Sequence, residues 1–395
     1  AGEDTRLHYD ALAPQSLEQR RGSPSVRLRN FNSFAKAVLL EQVVSELRAQ
    51  VGRGVPLSVL DLACGRGGDL KKLANCGVTE YCGVDFSEAS LQTLVSRLDG
   101  LLRDVGRARH GLLGQAGLPL REVSLLRADC WRQRLAATWD AAARHGTARL
   151  QGLGESWFHL VSCQMACHYA FESEESLEAM LHNVSDRLSA GGFFVGTVPD
   201  AARIVAAQQE AWQETGLLRT GNELYDIEFE PSQWTKVSGN IEQWTSTDAP
   251  AMGRDAFGMT YRFSLVDAVD GCREPLLHFG TFRQRAQRHG LRLHAGPTPL
   301  TRVVAEARPD DAAKAELGRL RRIYFYQGGM TCDESSPEWA ALRLYSAFAF
   351  RKEPDPDDGV MTCGQLSDHL QRLHHAEGNA LRLPRSCADI VSLGP

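Results

Sequence analysis

The side chains best placed to do chemistry are Asp61, Asp85, Asp129 and Gln164, each at or near the end of an apolar run. Leu57 to Leu62 reads as a buried parallel strand. The turn behind it, Ala63-Cys64-Gly65-Arg66-Gly67-Gly68-Asp69, leads into a segment that opens like a helix. Glycines there let the backbone approach a ligand where a Cβ would clash. A second run, Tyr81-Cys82-Gly83-Val84, ends in Asp85, within the window where nucleoside-binding folds keep a ribose-binding acid. The chemistry this allows is capture of a nucleoside cofactor, either a phosphate dinucleotide or S-adenosylmethionine (AdoMet). Two features favour AdoMet. Asp61 would face a cofactor's positive end but repel a pyrophosphate, and the loop lacks a strict G-x-G-x-x-G because position 63 is Ala. On this stretch alone a strand-turn-helix without ligand stays open, since a glycine-rich loop is a weak signal.

The elements that must position these residues alternate. Val38, Leu39, Val43, Val44 and Leu47 mark an amphipathic helix before the first strand, with Asn32 or Ser33 as its N-cap. Lys36 would then sit in the first turn, where the helix dipole disfavours a cation unless it meets an anion. Ser87 caps a helix through Leu91, Leu94 and Leu98, and a third strand, Val123 to Ala128, runs into Asp129. Phe158 to Cys163 is a fourth strand ending at Gln164, followed by a helix from Ser176 to Leu188 and a fifth strand, Phe193 to Val198. Strands and helices in this alternation specify a parallel sheet covered on both faces, with ligands at the carboxyl ends of the strands. Asp61, Asp85, Asp129 and Gln164 all converge there, a stronger signal than any single motif. Further on, Asp226 to Phe229 and Tyr261 to Leu265 read as strands, and Thr281 to His289 reads as a basic helix. Glu338 to Ala340 with Leu344 to Phe350 is expected to return to the sheet as a late strand.

The totals narrow the class. A chain of 395 residues allows one large domain with insertions or two smaller ones, and a net charge of −5 argues against a broad basic face, so nucleic-acid contacts should be local. No run of about eighteen apolar residues is present, so no membrane span is expected. The opening AGEDTRLHYD has no signal-peptide pattern, and the missing Met points to a processed or trimmed chain. Scattered cysteines inside apolar runs (Cys64, Cys82, Cys163) fit buried thiols in a reducing compartment. Cys163, Cys167 and His168 invite a zinc reading, but no second ligand pair stands at finger spacing and Cys163 lies within a strand, so no metal is expected.

Several runs together resemble one family, the eukaryotic mRNA cap guanine-N7 methyltransferases. The likeness is carried by Arg29-Asn30-Phe31-Asn32 with Lys36, by Asp61 to Leu70, and by Ser162-Cys163-Gln164 with Cys167-His168-Tyr169-Ala170-Phe171-Glu172-Ser173. It continues in Leu188 to Thr197, Gly221-Asn222-Glu223 and Tyr345 to Phe350. The glycine loop is common to many methyltransferases; the Cys-His-Tyr-x-Phe-Glu-Ser run and the Asn-Phe-Asn entry are far more specific. The resemblance implies a doubly wound, mostly parallel seven-stranded α/β sheet of the class I AdoMet methyltransferase type, with insertions. It divides the chain into a flexible segment 1–25, a methyltransferase domain 26–353 with insertions at about 100–120, 132–156 and 231–258, and an extension 354–395. Two positions depart from the family: Ala63 stands where Gly is usual, and Pro199-Asp200 replaces Pro-Asn.

By the same resemblance, Lys36 meets the AdoMet carboxylate, Ala63 and Gly65 contact the methionine part, and Asp85 takes both ribose hydroxyls. Asp129 accepts from the adenine amino group, Gln164 and Tyr169 close over the cofactor near its sulfonium, and Asp61 shapes the amino-group end. The matching cap-binding positions are Asn32, Ser33, Arg66, Lys72, Arg97, His168, Glu274 and Tyr345. Arg66, Lys72 and Arg97 suit a triphosphate bridge, Glu274 suits the N1-H and N2-H edge of guanine, and His168 and Tyr345 offer flat, polar-tipped surfaces. The implied activity is methyl transfer from AdoMet to N7 of the guanosine cap (GpppN) of mRNA, with another RNA or a small molecule as the alternative substrate. Guanine N7 carries a free lone pair, so in-line attack needs no general base, and placement by His168, Glu274 and Tyr345 supplies the catalysis. The implied partners are the capped mRNA 5′ end and an activating subunit or the RNA polymerase II machinery; the implied location is the nucleus.

Overall fold

The computed structural model describes residues 22–110, 120–135, 157–307, 318–319, 321–326, 332–354, 361–377 and 391–392. The first helix, α1 (Val26–Val51), buries Phe31, Phe34 and Val38 on one side and Leu40, Val43 and Leu47 on another, so it is covered around much of its circumference and is not the one-faced amphipathic helix expected. Next come β1 (Ser58–Leu62), α2 (Leu70–Asn75), β2 (Glu80–Asp85), α3 (Glu88–His110), β3 (Glu122–Arg127), β4 (Phe158–Gln164), a 3-10 turn (Cys167–Glu172), α4 (Glu174–Ser185) and β5 (Leu188–Pro199). A second group holds α5 (Ala201–Thr215), β6 (Arg219–Gly221), β7 (Tyr225–Glu228), α6 (Pro231–Ser238), α7 (Ile241–Thr245), β8 (Thr260–Leu265) and β9 (Val269–Pro275). The chain then returns through α8 (Phe279–Arg288), β10 (Leu291–Pro299), α9 (Leu300–Glu306), α10 (Pro337–Leu342) and β11 (Tyr345–Lys352). Last come α11 (Cys363–Glu377) and β12 (Val391–Ser392).

The main sheet has the order β10-β11-β5-β4-β1-β2-β3-β12. β11 lies antiparallel to both β5 and β10, and the remaining pairs are parallel. Every residue of β1 and β4 is buried, which is why both read as continuous apolar runs without alternation. Successive residues of β1 serve two separate cores, Val59 on one face and Leu60 and Leu62 on the other. Because β1 pairs with both β2 and β4, strand order reverses between β1 and β4, and a crevice opens outside their carboxyl ends. A separate antiparallel sheet, β6-β7-β8-β9, places Tyr261 of β8 directly opposite Glu274 of β9.

Several local expectations change. α1 starts at Val26, so Asn32 and Ser33 are not its cap and Lys36 is well inside the helix; burial of Leu28 and Phe31 draws the helix back toward its N-terminus. Glu338 to Ala340 is helical, within α10: Ser336 caps that helix by accepting from the backbone N–H of Trp339, and Pro337 occupies its first position. The seven strands expected are joined at the β3 edge by the two-residue β12, from a tail to which no element was assigned. α3 runs on to His110, into the segment read as an insertion at 100–120, of which 111–119 lie outside the described residues. Of the 132–156 insertion, 136–156 lie outside them, as does most of 1–25. Residues 231–258, read as a polar surface insertion, form α6 and α7 and bury Trp234, Val237 and Trp244. Among the described residues no helix is long and apolar enough to cross a membrane.

Candidate active site

At the carboxyl ends of β1, β2, β3 and β4 lies a cavity of about 260 Å³, lined in part by Lys36, Ala63, Asp85, Asp129, Gln164 and Tyr169. The glycine loop forms its floor. Ala63, Gly65 and Gly67 all have left-handed φ (52°, 52° and 69°), a region that costs an L-residue and not a glycine. A Cβ at Gly67 would stand 2.6 Å from Leu94 Cγ, so the loop is pressed onto α3 as well as bent. Asp85 fastens it: one carboxylate oxygen accepts from the Gly65 N–H (2.8 Å), the other from the Ser87 N–H (2.9 Å) at the start of α3. Ser87 in turn caps α3, accepting from the Ser90 N–H at 3.1 Å.

The acids around the cavity are tuned differently. Asp61 is buried and accepts from the Tyr81 hydroxyl at 2.9 Å. Burial, with Asp69 nearby, pushes its pKa up to about 7 despite the hydrogen bonds from Tyr81 and Ser162 and the charge of Lys36. Asp69 is buried too, yet its pKa lies well below the ordinary range. Burial alone would raise it, but Lys36 of α1 (3.1 Å) and Lys72 of α2 (2.9 Å) both reach its carboxylate. Lys36 therefore stands beside the cavity because it pairs with Asp69, not because of a helix start. Asp129 accepts from the Trp131 N–H at 3.0 Å, and Gln164 accepts from the Thr197 hydroxyl at 3.0 Å, fixing its amide. The next residue, Met165, also has left-handed φ (63°), strain of the sort that gathers at functional sites.

A second cluster adjoins the cavity through Tyr169. His168 and Tyr169 have ring centroids 4.1 Å apart, and His168 Nε2 lies 3.7 Å from Glu274 Oε2. Glu274 Oε2 accepts from the Tyr261 hydroxyl at 2.7 Å. Burial lifts the Glu274 pKa to about 7, and the phenols of Tyr261 and Tyr169 restrain the rise. Burial also drives the His168 pKa down to about 3, so its ring is neutral, and neither ring nitrogen has a hydrogen-bond partner among the described residues. Tyr345, at the start of β11, is buried and acts electrostatically on Tyr261.

A family model described as mRNA (guanine-N(7))-methyltransferase domain matches residues 2–353. Similar proteins include an mRNA cap guanine-N(7) methyltransferase 1 of Oryza sativa subsp. japonica, 33% identical over 88% of this chain and 81% of that one. The protein of the same name from Arabidopsis thaliana is 30% identical over 93% and 85%, and an mRNA cap guanine-N(7) methyltransferase of Drosophila melanogaster 28% identical over 87% and 76%. The chain belongs to the mRNA (guanine-N(7))-methyltransferase family. It is an AdoMet-dependent methyltransferase whose reaction is methylation of N7 of the mRNA cap guanine.

Within that family frame, the residues expected at the cofactor all border one cavity, whereas those expected at the cap do not. His168 and Glu274 meet each other, and Tyr345 stands near them through Tyr261. Arg97 Nη1 donates to the Arg66 carbonyl at 2.7 Å and Lys72 Nζ to the Gly68 carbonyl at 2.9 Å, so these cations flank the glycine loop. Asn32 and Ser33 precede Lys36 by about one turn of α1, and Asn32 Oδ1 is buried without a hydrogen-bond partner among the described residues. Sequence reasoning passed over Trp131, Arg132, Met165 and Glu172, which also border the cavity. Arg132 and Glu172 pair across it at 3.3 Å. Trp131 and Arg132 follow Asp129 with only Cys130 between, and that closeness was the available signal. Tyr261 and Glu274 are separated in sequence, and only their cross-strand register joins them.

Proposed function

We propose that the cavity holds AdoMet and that the His168–Glu274 cluster holds the cap guanine beside it. The cavity suits the cofactor chemically: glycines leave the backbone open to close approach, Asp85 and Asp129 present acceptors, and Asp61 borders it at the amino-group end. Bound there, AdoMet supplies a sulfonium methyl that a nucleophile can take without a base. The work left to the chain is placement. Asp85, already oriented by Gly65 and Ser87, receives the ribose hydroxyls. Lys36 receives the carboxylate, and Ala63 the methionine part. Asp129 accepts from the adenine amino group, while Gln164 and Tyr169 border the reacting end.

Glu274 is to accept from N1-H and N2-H of guanine, a donor pair that adenine does not present. His168 and Tyr345 flank the base, with Asn32 and Ser33 beside it, and Arg66, Lys72 and Arg97 hold the triphosphate bridge. Held so, N7 would be placed to take the methyl in line, and no residue need remove a proton. The observation that carries this reading is Tyr169, which borders the cavity while its ring lies 4.1 Å from that of His168, itself 3.7 Å from Glu274, so the donor and guanine sites share a wall. The substrate is the capped mRNA 5′ end. We assign the protein to the nucleus, where an activating subunit or the RNA polymerase II machinery would be its partner.

The test is methyl transfer to GpppA-capped RNA, GTP and uncapped RNA, with the modified atom identified, beside Glu274→Gln. Glu274→Gln should cut transfer to capped RNA at least about tenfold while AdoMet affinity, by calorimetry, is kept. Transfer at the wild-type rate would remove Glu274 from the site.

A further inference from the structure

Glu274 has a neighbour that the proposed cap contacts leave unused. Tyr261 and Glu274 are register partners on adjacent antiparallel strands, so their side chains leave the small sheet on the same face. Both are buried, and the phenol donates to Glu274 Oε2 at 2.7 Å, a short hydrogen bond to a carboxylate. A carboxylate out of contact with water has few ways to stay ionised, and an isolated one takes a proton instead. Reading guanine requires two acceptor oxygens in a set plane; a protonated or rotated carboxyl presents a donor where N1-H or N2-H must be met.

We infer that Tyr261 is a positioning residue of the cap reaction, its hydroxyl holding the Glu274 carboxylate in the orientation and charge state that accept the guanine edge. The inference rests on the cap reading of the Glu274 cluster. It assigns Tyr261 no contact with cap or cofactor; Tyr261 acts through Glu274 alone.

The surroundings leave Tyr261 this task. From the 3-10 turn, His168 faces Glu274 as a neutral ring 3.7 Å away, too far to serve as a hydrogen-bond donor. Tyr169 approaches from the same turn, Cys272 of β9 feels the Glu274 charge, and Tyr345 of β11 acts on Tyr261. None of these brings a positive charge. With burial holding Glu274 near pH 7, the two phenols are what keep it from rising further, and Tyr261 is the stronger of them.

Tyr261→Phe removes one oxygen and keeps the ring. Steady-state kinetics with GpppA-capped RNA, from about pH 6 to about pH 9, would be run on wild type, Tyr261→Phe and Glu274→Gln, with AdoMet affinity measured for each. Tyr261→Phe should bind AdoMet as wild type does, lose about fivefold in kcat/KM for capped RNA at pH 7, and regain most of it at high pH as its profile moves up by about one unit. Wild type should show the inflection near 7 and Glu274→Gln none. A Tyr261→Phe protein with the wild-type rate and profile overturns the inference, as does a loss that alkaline pH does not repair, which would mark a merely structural role. If Tyr261→Phe fails to bind AdoMet, the wild-type and Glu274→Gln profiles decide: a shared inflection, or none in either, overturns the inference. Wild-type transfer by Glu274→Gln brings down the cap reading itself, whereas a crippled Glu274→Gln beside an unaffected Tyr261→Phe sinks only the role of Tyr261.

Discussion

Replacing Asp85 by Ala tests the cofactor half of the site. In the free protein its two oxygens accept from Gly65 (2.8 Å) and Ser87 (2.9 Å), so the substitution releases the glycine loop and the start of α3 together. A buried N–H left without an acceptor costs about 1–3 kcal/mol, so for two of them unfolding in urea should show a loss of roughly 2–6 kcal/mol, against the roughly 5–15 kcal/mol of a typical domain. Binding suffers separately. Two ribose hydroxyls donating to an ionised carboxylate are worth about 1.5–3 kcal/mol each, so the AdoMet dissociation constant should rise by at least roughly a hundredfold. Asp85→Asn, which keeps one oxygen and the side-chain shape, should fall between. The assay is calorimetric titration with AdoMet on protein shown to be folded by a cooperative urea transition. A folded Asp85→Ala protein binding AdoMet within about threefold of wild type would refute the placement of the ribose.

Ala63→Gly should raise stability, against the usual sense of such a change: left-handed φ costs an L-residue about 1–2 kcal/mol, and the extra freedom of Gly in the unfolded chain returns about 0.5–1 kcal/mol of that. A net gain of up to about 1 kcal/mol in urea is expected, and a clear loss would mean that the Ala63 methyl packs usefully. His159 gives a pH prediction. It is buried between Ser58, whose N–H it accepts at 3.1 Å, and Ser367 of α11 at 2.9 Å, and its pKa is driven down to about 3. Its contribution is thus fully present above the unfolded value near 6.5 and is lost as pH falls toward about 3. His168 is shifted as His159 is, and Asp61 and Glu274, raised to about 7, titrate with the opposite sign, so the pH dependence of wild-type stability does not isolate His159. The cost of His159→Gln should be smaller at pH 5 than at pH 7 by about 2 kcal/mol, and a cost independent of pH would sink the assignment.

Legibility was uneven for physical reasons. Strands buried on both faces announce themselves as unbroken apolar runs, so β1 and β4 and the polar residues ending them could be read directly, as could the glycine turn. Helix limits were less visible. The start of α1 depends on what Leu28 and Phe31 pack against, and Glu338 to Ala340 is helical because Ser336 and Pro337 start a helix that apolar patterning alone does not reveal. The tail gave no periodic signal, yet α11 docks through Ser367 on His159, a contact across 208 positions.

The order of residues alone determined that acceptors would gather at the carboxyl ends of parallel strands, because chain direction and strand alternation leave them nowhere else. Only the folded chain decided how each was charged. The same carboxyl group is held low at Asp69 by two lysines from separate helices and raised at Asp61 and Glu274 by burial. Desolvation and distance set those differences, and both exist only once remote segments have packed together.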